Sequence, residues 1–231
     1  MNVLVACEES QAVTIELRKR GHRAFSCDLQ ECSGGHPEWH IQGDVIPLLN
    51  GNCTFQTADT HTHTQAGRWD MIIAFPPCTY ITKASACRMF PRAGVVDLDR
   101  YEKAISAKDF FLEIFHADCD RIAIENPTPL KIVGLPKHTQ VIQPYMFGEP
   151  YSKRTLLWLK GLPLLSPTKV IRQYSVFVPS NTSKHSKGAG GGAGVAQSQR
   201  ARSKTFRGLA VAMSEQWGAE NIELQEQQSL F

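Results

Sequence analysis

Trp69-Asp70-Met71-Ile72-Ile73-Ala74-Phe75-Pro76-Pro77-Cys78 is the stretch on which the fold turns. A single acid precedes an apolar run without a break. A strand apolar on both faces suits the middle of a parallel sheet covered by helices on both sides. Two prolines then end the run, and their fixed φ stiffens the turn that holds Cys78. Upstream, residues 2–7 form a similar β-rich apolar run. Residues 11–20 space Val13, Ile15 and Leu17 as a helix does, with basic residues and Gly21 at the end. Residues 22–27 predict a second strand ending at Asp28, and residues 40–49 hold a turn at Gly43-Asp44. Residues 50–68 are polar and rich in Thr, His and Gln, which predicts a surface loop.

Downstream, residues 98–116 place Ala104, Ala107, Phe111, Ile114 and Phe115 on one helical face. Residues 121–124 predict a buried strand that ends at Glu125-Asn126-Pro127. Residues 154–159 predict another strand, residues 180–204 a mobile glycine-rich segment, and residues 205–217 a closing helix. Strands alternating with helices give a mostly parallel α/β sheet, whose ligands sit at the carboxyl ends of the strands. Residues 7–10, Asp28, Cys78 and Glu125 all fall at such ends.

Composition bounds the rest. The 231 residues are 42% hydrophobic, enough for one sizeable core. No run of 18 apolar residues occurs, so no membrane span is expected, and the first residues lack a secretory pattern. Seven scattered cysteines, an odd number, favour a reducing cytoplasm over a disulfide framework. The net charge of +3 hides an uneven distribution. From Pro150 to Ser214 there are eleven Lys and Arg and no acid, a block that attracts phosphates unless it is merely a solvated face.

Two motifs carry chemistry. A cysteine held at a strand end can act as a thiolate nucleophile if its neighbours lower its pKa, although a buried inert cysteine is the commoner case. A carboxyl group such as Glu125, at the mouth of a sheet, is partly desolvated and can carry a proton near neutrality; the alternative is an Asn-Pro turn cluster. Cys27, Cys32, His36 and His40 have spacing that could ligate zinc, but Asp28 and an apparent buried strand lie among them, and no metal is expected.

Together, Pro77-Cys78 and Glu125-Asn126-Pro127, one after each of two successive strands, resemble the DNA cytosine carbon-5 methyltransferase family. The likeness continues at residues 69–75, and residues 205–217 look like the family's closing helix. It implies a Rossmann-like methyltransferase fold in a single domain, with S-adenosylmethionine as cofactor. Residues 1–160 would be the catalytic and cofactor-binding core, 161–204 a short basic insertion facing substrate, and 205–231 the closing helix and tail. Cys78 would be the nucleophile, Glu125 the acid, and Arg154 a holder of the base carbonyl or a phosphate, or else a rim charge. Asp28 would meet the cofactor ribose and Asp44 its adenine; Ser10, with either Glu8 or Glu9, would hold its amino-acid end, beside Phe75 and Pro76. Asn126, Lys153, Arg200, Arg202 and Lys204 would face the substrate. Two departures stand out. The family's glycine-rich first loop is here Ala6-Cys7-Glu8-Glu9-Ser10, and its long target-recognition domain is reduced to residues 161–204. The substrate implied is DNA with little sequence choice, or a free cytosine nucleotide. A nucleic-acid-binding relic without activity is the third alternative.

Overall fold

Val3, Leu4, Val5 and Ala6 are fully buried, and so are Met71, Ile72, Ile73 and Ala74. Strands of this kind need apolar cover on both faces. In a computed structural model that describes residues 1–175 and 204–219, they have it. The strands are β1 (Asn2–Ala6), β2 (Arg23–Asp28), β3 (His40–Gln42), β4 (Cys53–Gln56), β5 (Thr62–Gln65), β6 (Met71–Ala74), β7 (Ile122–Pro127), β8 (Gln140–Ile142) and β9 (Thr155–Lys160). The helices are α1 (Ala12–Lys19), α2 (Ala86–Met89), α3 (Leu98–Phe115) and α4 (Arg207–Trp217).

Seven strands form one sheet in the order β3-β2-β1-β6-β7-β9-β8. The first five in that order are parallel, and β9 runs antiparallel to both β7 and β8. On one face, α3 buries Phe111 and Ile114 against Leu4, Ile72 and Trp158. On the other, α1 and α4 bury Val13, Leu17, Met213 and Trp217 with Val3, Val5 and Ile73. The closing helix therefore lies against the first strand. This is a Rossmann-like α/β fold of the methyltransferase type, mostly parallel as expected. The order reverses between β1 and β6, and sheets of this kind have their ligand crevice at the carboxyl ends of the strands at such a reversal. No helix among the described residues is long and apolar enough to cross a membrane.

The structure corrects three sequence expectations. Residues 50–68 are not a plain loop: β4 and β5 pair as an antiparallel ribbon that buries Phe55 and Gln65. The strand expected to stop at Ile124 runs on to Pro127, held by pairing with β9, so Glu125 and Asn126 are strand residues. Strand β8 was not expected at all. The glycine run at 188–194 and the basic residues Lys184, Lys187, Arg200 and Arg202 lie outside the described residues.

Candidate active site

The first wall of the crevice is the loop joining β1 to α1. It contains no glycine, yet Cys7 and Gln11 take φ of 58° and 56°, in the left-handed region that glycine favours. The Gln11 amide helps hold this shape. It donates to Ser26 Oγ (3.2 Å) and to the His36 carbonyl (2.9 Å), and accepts from the His36 amide (3.1 Å). Gly34 packs so close that a Cβ there would lie 2.6 Å from Gln11 Cβ.

The two acids of the loop part company. Glu8 turns inward: its Oε1 accepts from the Val13 amide at 2.6 Å and its Oε2 from the Thr14 hydroxyl at 2.7 Å, capping the first turn of α1. Burial pushes its carboxyl up to about 7, against the pull of those hydrogen bonds. Glu9 is also buried, and its carbonyl accepts from the Ser33 amide. Ser10 is half-buried beside them. Asp28, at the end of β2, accepts from the Gln30 amide through Oδ1 (2.9 Å); Asp44, just past β3, accepts from the Ile46 amide (3.1 Å). Both carboxylates face Cys7. Burial first, and then Asp28, Cys27 and Asp44, push the Cys7 thiol far above its ordinary range. Three acids thus gather at the ends of β1, β2 and β3.

The second wall is the turn after β6. The Phe75 amide donates to the Ala6 carbonyl at 3.0 Å, which ties the two central strands together where they end. Pro76 is buried, Pro77 exposed, and Cys78 half-buried. The amides of Ile81 and Thr82 fold back onto the Cys78 carbonyl (3.2 and 3.1 Å). On the neighbouring strand, Asn126 donates from Nδ2 to the Pro76 carbonyl at 3.0 Å, while its Oδ1 is buried without a partner. That bond fixes the turn carrying Cys78 against β7.

Cys78 lies within the field of Glu125. Burial, and then the charge of Glu125, raise the Cys78 thiol, and Lys153 opposes them. Burial likewise raises the Glu125 carboxyl, with Lys153 and the Thr155 side chain pulling the other way. Lys153 reaches this place because β9 is antiparallel. Thr155 at its start pairs with Pro127 at the end of β7, so the residues just before β9 stand at the carboxyl edge. The cation within reach of Cys78 and Glu125 is thus Lys153, while Arg154 is exposed. Glu125, Lys153, Thr155, Lys204 and Phe206 line a narrow crevice, and Lys204 Nζ also donates to Ser33 Oγ at 2.7 Å. Arg200 and Arg202 lie outside the described residues. The contribution of Thr155 had no sequence signal, because it depends on the β7–β9 register, and that of Phe206 depends on where α4 begins.

The spacing weighed for zinc does not converge. Cys27 is buried in β2, His40 bonds Ser26 Oγ and the Gln30 carbonyl (2.9 Å each), and His36 stacks on Trp39 at 3.8 Å. Among the described residues no group of His, Cys, Asp and Glu is placed to hold a metal ion.

No protein-family profile and no curated protein matches this sequence. One solved structure it is similar to is an E. coli prophage-encoded protein described as a DNA modification methyltransferase. The two share 13% identity at a TM-score of 0.39, over 74% of this chain and 52% of that one. The chain spans about half the length of that structure.

Proposed function

We propose that this chain is an S-adenosylmethionine-dependent methyltransferase that acts on carbon 5 of cytosine in DNA through a covalent adduct with Cys78. One observation carries the proposal: Cys78, just past β6, and Glu125, near the end of the adjacent parallel strand β7, both stand within the field of Lys153. The cofactor fits the other wall. Its ribose hydroxyls and adenine amino group are hydrogen-bond donors, and Glu9, Asp28 and Asp44 gather acceptors at three neighbouring strand ends, with Ser10, Phe75 and Pro76 beside them. Glu8, bound into α1, serves the loop's shape. When bound, the cofactor supplies an electrophilic methyl group.

Carbon 5 of cytosine is a poor nucleophile until its ring is activated. The Cys78 thiolate adds to carbon 6 while Glu125, protonated, gives its proton to ring nitrogen 3. Carbon 5, now enamine-like, takes the methyl group. A base then removes the carbon-5 proton, the Sγ–carbon-6 bond breaks to release the Cys78 thiolate, nitrogen 3 returns its proton to Glu125 and the ring regains aromaticity. The coupling has a direct use. A neutral Glu125 no longer opposes ionisation of Cys78, and Lys153 favours it. In this reading residues 1–160 hold the machinery, the basic insertion at 161–204 serves the substrate, and the helix Arg207–Trp217 closes the fold. Seven free thiols suit a reducing cytoplasm.

The test is transfer of labelled methyl from the cofactor to duplex DNA, single-stranded DNA or deoxycytidine monophosphate. An oligonucleotide carrying 5-fluorocytosine should trap the protein covalently, because its carbon-5 substituent cannot leave as a proton. Cys78→Ser should form no adduct. Full methyl transfer by Cys78→Ser would overturn the mechanism.

A further inference from the structure

The crevice at Glu125 continues into an aromatic track. Lys153 Nζ stands 5.7 Å from the centre of the Phe206 ring. Phe206 stacks on Tyr151 at 6.2 Å and 30°. The Tyr151 carbonyl accepts from the Tyr145 amide at 3.1 Å, and Tyr145 lies flat on Tyr174 at 4.1 Å and 8°. Tyr174 ends the track with 42% of its surface exposed. Lys169, Arg172 and Arg207 flank it, all exposed, and no acid occurs between Pro150 and Ser214. Glu149, the acid that precedes this stretch in sequence, accepts from the Gly208 amide.

We infer that this track is a stacking platform for an unpaired strand of nucleic acid whose target cytosine lies at Cys78. The inference rests on the function proposed above and narrows its substrate class. Exposed aromatic rings among cations bind bases by stacking and phosphates by charge, and every base has a π-face to offer. Bases inside a duplex are already stacked on one another and offer no free face. Reading a duplex needs a helix or a ribbon in its groove. Residues 161–175 form neither. A free nucleotide would fill the Glu125 crevice and leave Tyr174 without a role.

The test is fluorescence anisotropy with the full chain, at one low salt concentration and without cofactor. The probes are a labelled oligonucleotide with one central cytosine, single-stranded, and the same sequence as a duplex. The wild type should bind the single strand more tightly. Tyr174→Ala should weaken that binding about tenfold to a hundredfold, the scale of one lost base–ring stack, and Tyr174→Trp should restore it. Equal single-strand affinity in Tyr174→Ala, or tighter wild-type binding of the duplex, would overturn the platform. These isotherms do not depend on chemistry. Failure of the 5-fluorocytosine trap would instead overturn the proposed reaction, so the two failures are told apart.

Discussion

Asn126 joins the strand ends that carry Cys78 and Glu125, so truncating it separates positioning from folding. Its Nδ2 donates to the Pro76 carbonyl at 3.0 Å, its Oδ1 has no partner, and the residue is 1% exposed. A carbonyl only accepts, which fixes which way the amide faces. Asn126→Ala has opposing effects on stability. It leaves the Pro76 carbonyl unpaired, at about 1–3 kcal/mol when buried, and it also removes an orphaned amide oxygen whose burial costs a similar amount. Unfolding free energy should fall by no more than about 1–2 kcal/mol, the remainder being a small void. The turn bearing Cys78 meanwhile loses its tie to β7. A displacement near 1 Å can cost roughly 100-fold in rate, so trapping on 5-fluorocytosine should slow by about 10- to 100-fold. Urea unfolding and single-turnover trapping, measured on the same preparation, report the two quantities. Asn126→Asp is the second probe: it keeps the shape but sets a carboxylate against a carbonyl, and should destabilise more than alanine does. A folded Asn126→Ala that traps at the wild-type rate would refute the positioning role. So would a stability loss above about 4 kcal/mol that explains the inactivity by itself.

Other outcomes follow from the same geometry. Glu125→Gln should slow methyl transfer by roughly 10²–10⁴. Because Glu125 raises the Cys78 thiol, the same change should move thiol alkylation to lower pH, and an unshifted alkylation profile would separate the two groups. Asp28→Ala should weaken S-adenosylmethionine binding by about 1.5–3 kcal/mol by calorimetry, the scale for a hydrogen bond to a charged group, and unchanged affinity would remove Asp28 from the cofactor wall. Glu8, raised from an ordinary 4.5 to about 7, keeps its proton longer in the folded chain than in the unfolded one. Its contribution to stability should therefore be full below about pH 4.5 and decline by roughly 3 kcal/mol between there and about pH 7. Glu8→Gln should flatten that slope, and identical pH profiles of urea unfolding would sink the assignment.

The sheet was legible wherever a strand had to be apolar on both faces. Residues 2–6 and 71–74 announce themselves because polar atoms there would be buried without partners. The same rule explains what was missed. The β4–β5 ribbon stands off the main sheet and buries little beyond Phe55 and Gln65, so its Thr-rich alternation reads as surface. Three residues of β8 are too few to show a period. The extension of β7 through Glu125 and Asn126 comes from the register with β9, which places Asn126 opposite Leu156. Pairing partners distant in sequence leave no mark in the local pattern of either strand.

The site shows the same division more sharply. Cys78 and Glu125 could be singled out because each follows an apolar run that has only one role to play. Choosing between Lys153 and Arg154 was different, since both stand just before the same apolar run, and only the fold shows Lys153 half-buried and Arg154 exposed. Only the antiparallel sense of β9 brings its beginning, and Lys153 with it, to the carboxyl edge beside Cys78. The first loop makes the complementary point. Absence of glycine reads as a departure from a glycine-rich pattern, yet Cys7 and Gln11 reach the left-handed region all the same. For side chains other than glycine that conformation costs about 1–2 kcal/mol each. The three hydrogen bonds of the Gln11 amide and the Glu8 cap on α1 are of the size needed to offset it. What the loop must preserve is the path of its backbone past the ends of β1 and β2. Glycine is one way to permit that path, and a buried glutamine and a buried glutamate that hold it from within are another.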